Sequence, residues 1–395
     1  MNRKKIVLLS PFPIFPPNNG GAIRIFNLAQ MLSKKYRIVV YSQCVNMKMI
    51  LDLLQGKPLL NEIKINKNLK IIQSYNILYN SILFLTSRIG AQNFLASKAL
   101  RLLRPKKLEN EFLDAVLIQV EHPWQVQWAK NISTKFKIPL VLSCHNVEHH
   151  ILTNSISNIP FIKNILINHL KKIELEACKM ADYVIFLSKN DRQYFQKNSC
   201  INRSHILPVS IRNISIKQRN KRIVYKPPYT ILFVGSNWKQ NTEALHYIES
   251  LALQNENNKT LKFLVVGSVG ESKRNKINLT YTGRVNSTSK YYKKADVFIN
   301  PTTTGSGVNI KILEAMSYSL PIISTPFGVR GIKVTNNRNG IISPVKNFNQ
   351  NILNLLKNSI LRKKISKNAR KTIQQYYCAN NNSKDIHSYY KKIIH

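Results

Sequence analysis

The sequence predicts an α/β protein made of two consecutive doubly wound domains, each a parallel sheet flanked by helices. Short apolar runs rich in β-branched residues alternate with helical periodicities through most of the chain. Several runs stop at a residue that ends a strand, as at Pro11, Gly235, Gly267 and Pro301. The length, 395 residues, exceeds what one ordinary core fills.

The first unit opens with the apolar run Ile6–Leu9, then Pro11, Pro13, Pro16 and Pro17, then Asn18-Asn19-Gly20-Gly21. A helix follows from Ala22, with Ile25, Leu28, Ala29 and Leu32 on one face, and Ile38–Tyr41 is the next strand. Asn46–Lys107 mixes helical stretches with basic breaks and carries no motif. Ala115–Val120 is a strand ending in Glu121-His122-Pro123-Trp124, and Pro139–Ser143 one ending in Cys144-His145-Asn146-Val147-Glu148. A long helix covers Phe161–Met180 and a strand Tyr183–Leu187, after which the pattern dissolves between Asn198 and Pro228.

A second alternating unit begins at Thr230. Strands are expected at Ile231–Val234, Phe263–Val266, Thr280–Val285, Val297–Asn300 and Pro321–Ser324, with helices at Thr242–Leu253 and Asn309–Tyr318. The expected boundaries are 1–205 and 229–375 for two Rossmann-like domains and 206–228 for a linker. A C-terminal helix, 376–395, could cross back to the first domain. In such folds ligands sit beyond the carboxyl ends of the strands, here in a central cleft between facing domains.

Composition excludes several classes. Hydrophobic residues at 44% and charged residues at 20% describe a globular chain. Cys44, Cys144, Cys178, Cys200 and Cys378 form no C-x-x-C pair and fit neither a disulfide framework nor a zinc site, which points to a reducing compartment. The first apolar run is too short for a signal peptide, and Ile77–Leu85 falls short of a span, so a soluble or peripheral cytoplasmic protein is expected. The net charge of +42 is spread along the whole chain. Three accounts compete for it: the codon bias of an AT-rich genome, attraction to an anionic membrane surface, and nucleic-acid binding.

The strongest local signal runs from Gly305 through Ser306, Gly307 and Val308 to Lys311 and Glu314. Glycines at a strand-to-helix turn let backbone N–H groups approach an anion, and a helix N-terminus favours it. Lys311 lies in the first turn, within reach of a phosphate. Glu314, one turn on, could accept hydrogen bonds from sugar hydroxyls. The competing reading is an ordinary Gly turn with an exposed Lys and Glu. The aspartates Asp52, Asp114, Asp182, Asp191, Asp296 and Asp385 form no D-x-D pair, so the carboxylates that would hold a diphosphate's divalent ion are missing and no metal is expected. No P-loop occurs.

The stretch Asn300–Ile332 (NPTTTGSGVNIKILEAMSYSLPIISTPFGVRGI) resembles the donor-site motif of glycosyltransferase family 4. SPFPIFPPNNGGAIRIFNLAQMLSKKY resembles that family's N-terminal glycine loop. His145-Asn146-Val147-Glu148, Ala181-Asp182-Tyr183 and Thr282-Gly283-Arg284-Val285 fall at its recurrent stretches. The resemblance implies the GT-B fold and retaining, metal-independent transfer from a nucleotide-diphosphate sugar to a saccharide or lipid-linked acceptor, in surface polysaccharide or glycoconjugate synthesis. No cofactor is implied beyond the nucleotide-sugar co-substrate.

Carried over by position, Glu314 matches the second of two glutamates, the one on the nucleotide ribose, while Ser306 stands where the first would be. The backbone of Gly305–Val308 would bind the diphosphate with Lys311 assisting. The family's Arg and Lys after the first strand of the second domain appear as Ser236 and Asn241, beyond Gly235, and Lys239 is a displaced candidate. Arg284 and Val285 would lie near the base. His145 would touch donor sugar or acceptor, with Gly20, Gly21, Arg24 and His122 on the acceptor side. Against this stand a plain helix-surface charge for Arg24, a solvated loop for Glu121 and His122, and surface positions for His149 and His150. The rival functions are a nucleotide-sugar epimerase on the same fold and a non-enzymatic polyanion- or membrane-binding protein.

Overall fold

A computed structural model describes residues 3–17, 20–43, 60–74, 81–82, 109–155, 160–199, 201, 203–211, 226–305 and 307–394. The chain divides into two compact units, Met1–Ser210 with Asn382–His395, and Ile211–Asn381.

Among the described residues the first unit is built on eight strands: β1 (Lys5–Ser10), β2 (Arg37–Gln43), β3 (Leu60–Asn66), β4 (Leu69–Ser74), β5 (Ala115–Glu121), β6 (Leu140–Cys144), β7 (Tyr183–Phe186) and β8 (Ser204–Ile206). Their order across the sheet is β3-β4-β2-β1-β5-β6-β7-β8, parallel except for the antiparallel pair β3–β4. The helices are α1 (Gly20–Leu32), α2 (Val126–Phe136), α3 (Glu148–Ser155), α4 (Pro160–Met180) and α5 (Lys189–Asn198). Every residue of β1 and β6 is buried, as expected of parallel strands covered on both faces. Val7, Leu9, Ile118, Val120, Leu140, Leu142 and Phe186 form a core with Trp128 of α2.

The hairpin β3–β4 lies in the stretch that carried no motif. Its outer strand reads LNEIKIN and is only partly buried, with Glu62 and Lys64 on an edge. An edge strand of this kind has too little apolar alternation to announce itself. Strand β8 likewise lies where the pattern dissolves, and Leu207, Val209 and Ile211 beyond it are buried, Ile211 pairing with Cys378.

The second unit is built on β9 (Tyr229–Val234), β10 (Leu261–Val266), β11 (Leu279–Tyr281), β12 (Val297–Asn300), β13 (Ile322–Ser324) and β14 (Ile341–Ile342), all parallel, in the order β11-β10-β9-β12-β13-β14. The helices are α6 (Lys239–Gln254), α7 (Ser289–Lys294), α8 (Ile310–Ser317), α9 (Phe348–Lys357) and α10 (Ser359–Thr372), and α11 (Ala379–Ile394) ends the chain. Ile231, Phe233, Leu245, Phe263, Val265, Ile299 and Phe348 form its core.

In each sheet the chain winds outward in both directions from its first strand. β1 lies between β2 and β5, and β9 between β10 and β12. These two points, where strand order reverses, open the crevices in which α/β sheets take ligands.

Candidate functional site

At the reversal point of the first sheet, the ends of β5 and β6 meet α1. Arg24 projects from the buried face of α1, and its Nη1 donates to Glu121 Oε2 (3.2 Å) and Ser143 Oγ (3.1 Å). The same Nη1 is 2.6 Å from His145 Nε2, which is itself 2.6 Å from Glu121 Oε2. One ring nitrogen either accepts from Arg24 or donates to Glu121. Burial, and next the charge of Arg24, pull the His145 ring down to about 3, so it is neutral at physiological pH. Burial opposes ionisation of Glu121, but its hydrogen bond with His145 and the charge of Arg24 prevail and keep it a carboxylate.

His122 follows the last residue of β5 with φ at +84°, a conformation sparsely populated by non-glycine residues. Its Nδ1 is 2.8 Å from Glu148 Oε1, which also accepts from Asn146 Nδ2 (3.1 Å). The ring stacks on Trp124 and lies 4.3 Å, centroid to centroid, from His145. Arg24 Nη2 and His122 Nε2 are buried with no hydrogen-bond partner among the described residues. Such groups cost free energy until a polar partner meets them.

Two of the bland alternatives fail here. Arg24 is no helix-surface charge, and Glu121 and His122 occupy no solvated loop; all three are buried. The sequence held the signal for Arg24, which precedes Leu28 by four residues and Met31 by seven and so shares their buried face. His149, expected at the surface, is also buried. Its Nδ1 meets Glu174 Oε2 (2.5 Å) and its Nε2 the Tyr194 hydroxyl (2.7 Å). Glu174 further accepts the backbone N–H groups of Glu148 (2.7 Å) and His149 (3.0 Å), capping α3 from α4. His150 is exposed, as is Gly20, and Gly21 is half-buried at the start of α1.

At the reversal point of the second sheet, β12 leads through a glycine turn into α8. Gly305 has φ +116° and Gly307 φ +65°, both in the region that L side chains avoid. A Cβ on Gly305 would stand 2.7 Å from Gln240 Cγ. Ser306 lies outside the described residues, and Val308 is half-buried. The Thr304 hydroxyl donates to the Glu243 carboxylate of α6.

Lys311, in the first turn of α8, donates from Nζ to Asn241 Oδ1 (2.6 Å) and lies 4.3 Å from the centre of the Phe233 ring. Desolvation pulls its ammonium down to about 7. Asn241 donates in turn to the Ser236 carbonyl (2.8 Å). Glu314 accepts from the Tyr292 hydroxyl (3.0 Å), and burial raises its pKa. Gly235, at the end of β9, packs against Phe233 and Asn241. The turn glycines, Lys311 and Gly235 therefore share one end of the sheet. Lys239 is exposed, and Arg284 is exposed with Glu271 at 4.0 Å; Val285 is half-buried. Asn241, which the sequence placed where the family has Lys, is the partner of Lys311, and Phe233 and Tyr292 are the partners that sequence reasoning missed, because each is recognisable only by the side chain it touches. The arrangement offers a diphosphate a cation, backbone N–H groups and a helix N-terminus, and offers hydroxyls a half-buried carboxylate.

No helix among the described residues is long and apolar enough to cross a membrane. Among those residues, no group of three or more His, Cys, Asp or Glu could hold a metal ion.

Residues 228–358 match the family described as glycosyl transferases group 1. An uncharacterized glycosyltransferase, MJ1069, of Methanocaldococcus jannaschii is 25% identical over 240 residues, 55% of this chain and 59% of the relative's length. An uncharacterized 44.6 kDa protein in the cps region of Klebsiella pneumoniae is 24% identical over 405 residues, covering 94% of this chain and 96% of that one. Among solved structures, sucrose-phosphate synthase from Thermosynechococcus elongatus superposes with a TM-score of 0.72 at 14% identity, covering 99% of both chains. Anabaena HepE in complex with UDP and glucose superposes with a TM-score of 0.67 at 12% identity, covering 98% of this chain and 100% of its own. Residues 228–358 thus carry a glycosyl transferases group 1 domain, and the chain as a whole has the GT-B fold of the structures it superposes on.

Proposed function

We propose that this chain transfers a sugar from a nucleotide-diphosphate donor to a saccharide or lipid-linked acceptor, with retention of configuration and without a metal ion. The observation that carries the donor half is the Gly305–Gly307 turn feeding α8, with the Lys311 ammonium held against Asn241 at the same sheet end. The diphosphate would lie on the turn and the N-terminus of α8, neutralised by Lys311, and Glu314 would hold the ribose. Gly235 and Val285 would line the same ligand, whereas exposed Lys239 and Arg284 would contribute less.

In the first unit, Arg24 and His122 each keep a buried nitrogen for ligand oxygens, beside Gly20 and Gly21 at the start of α1. His145, neutral at physiological pH, would act as a hydrogen-bonding partner of the reacting sugars and not as an acid. Positioning and fixed dipoles would supply most of the acceleration. The relative in a cps region supports an acceptor in polysaccharide synthesis, and HepE, seen with UDP and with glucose, supports a nucleotide-sugar donor. The missing D-x-D pair supports metal independence, retention rests on the family resemblance, and a cytoplasmic site fits the widely spaced cysteines.

The test is incubation with a panel of nucleotide sugars, UDP-glucose among them, scored by slow donor hydrolysis and by thermal stabilisation. One donor class should stand out, and NMR of the product should show the donor's anomeric configuration preserved. Failure of every nucleotide sugar to bind or react would overturn the transferase reading. Conversion of donor to an epimer without acceptor would favour the epimerase.

A further inference from the structure

The last helix reaches the Arg24–Glu121–His145 cluster through a chain of buried side chains. Tyr390 of α11 is fully buried, and its hydroxyl meets Gln119 Oε1. Gln119 lies two residues before Glu121 on β5, so both side chains leave the same face of the strand. Gln119 Nε2 donates to Glu121 Oε1 at 2.5 Å, and Glu121 Oε2 meets Arg24 and His145. None of the three side chains in this chain has access to water beyond a trace.

The polarity of the chain is forced. An ionised carboxylate only accepts, so Gln119 must turn its NH₂ toward Glu121 and its carbonyl toward Tyr390. A carbonyl only accepts, so the Tyr390 hydroxyl must donate. The amide of a glutamine is nearly symmetric in shape, so its orientation is set by the partners at its two ends, the Glu121 carboxylate and the Tyr390 hydroxyl. Without that hydroxyl, Gln119 Oε1 is left buried and unpaired. Held by Glu121 alone, the amide can then turn or shift to find a partner for its oxygen, at the expense of its hydrogen bond to the carboxylate.

We propose that Tyr390 is a positioning residue: by orienting Gln119 it holds the Glu121 carboxylate in place, and through Glu121 it sets the hydrogen bonding of His145. The proposal rests on the reading above that the Arg24–Glu121–His145 cluster serves sugar transfer. A second hydrogen bond, from Asn382 Nδ2 to Ser210 Oγ (3.0 Å), ties the start of this C-terminal segment to the same unit. Helix α11 thereby reaches a cluster whose Arg24, Glu121 and His145 come from far earlier in the chain.

Tyr390→Phe removes one oxygen and keeps the packing, and Gln119→Leu cuts the same chain one link further in. Each variant is compared with the parent protein by ¹⁵N spectra of its labelled histidine rings, by thermal melting, and by turnover of the nucleotide sugar that the panel identifies, UDP-glucose being tried first. Both variants should change the ring-nitrogen resonances of His145, identified by their loss in His145→Asn. They should also lower kcat about tenfold while the donor KM stays within a factor of two. Unchanged His145 resonances overturn the proposal. A lowered melting temperature with parental kcat at a permissive temperature overturns it too, because Tyr390 would then be packing alone. If the parent turns over no nucleotide sugar, the transferase reading falls, while the histidine spectra still decide the link from Tyr390 to His145.

Discussion

Lys311 holds its ammonium 2.6 Å from the amide oxygen of Asn241 and over the Phe233 ring. The side chain spans from α8 to α6, which places a cation where the backbone of the glycine turn meets the end of β9. Burial leaves it titrating at about 7. A diphosphate bound there would favour the charged form, so binding would draw in a proton. The sign follows: affinity for UDP-glucose, whose diphosphate does not titrate near neutrality, should weaken as pH rises through 7, by up to about tenfold per unit. Lys311→Ala should weaken binding about tenfold, or about 1.4 kcal/mol, and Lys311→Arg should bind without this pH dependence. Calorimetry in buffers of different ionisation enthalpy checks it; a parent protein that takes up no proton would refute the coupling.

Glu314, hydrogen-bonded to Tyr292, should matter to the donor in a different way. Glu314→Gln keeps the shape and removes the charge that would bind ribose hydroxyls. Donor use, measured as kcat/KM, should fall at least tenfold, about 1.4 kcal/mol of transition-state binding. Equal kcat/KM in parent and variant would remove Glu314 from the site.

Arg24 and Glu121 form a buried ion pair, and cutting one partner leaves the other's charge buried without a counter-charge. Arg24→Met should therefore destabilise the first unit by about 3–5 kcal/mol, read as a lower urea midpoint. Arg24→Met with Glu121→Leu should recover much of that loss, because no orphan charge remains. A single variant as stable as the parent would contradict the burial described here.

His145 titrates near 3 in the folded chain against 6.5 when exposed. Between those values the unfolded chain binds more protons, so stability rises with pH across that window. Acidification from 6.5 toward 3 should erode it with a slope of up to about 1.4 kcal/mol per unit from this group. His145→Asn should flatten that part of the curve in urea titrations at several pH values, and a parallel curve would refute the assignment.

The membrane reading makes a geometric demand. Arg3 donates to the backbone carbonyls of Ser33 (3.0 Å) and Lys34 (2.8 Å), which brings Arg3, Lys34 and Lys35 to one corner of the first unit. Lys106 and Lys107, the other members of the expected face, lie outside the described residues. If this corner meets lipid, flotation at physiological salt should show binding to vesicles with anionic headgroups and none to neutral ones, weakened as salt screens the charge. Triple replacement of Arg3, Lys34 and Lys35 by Gln should abolish it. Equal flotation with both vesicle types would remove the membrane account of the charge.

Most of the sheet framework was legible because buried parallel strands are apolar at every position and the glycines that end them are local signals. The strands Ile6–Leu9, Ala115–Val120, Phe263–Val266 and Val297–Asn300 needed no neighbours to be recognised, and the glycine turn before α8 is written into residues 305–307. The outer strand β3 escaped because an exposed edge carries little apolar pattern.

The site's wiring was a different matter. That Asn241 receives Lys311 across 70 residues, that Arg24 meets Glu121 across 97, and that Tyr390 reaches Gln119 across 271 was decided by tertiary structure alone. A sequence shows a charge and its local periodicity. Whether that charge is hydrated or buried against a partner depends on which strand ends the fold brings together, and burial is what moved the His145 and Lys311 protons away from their ordinary range.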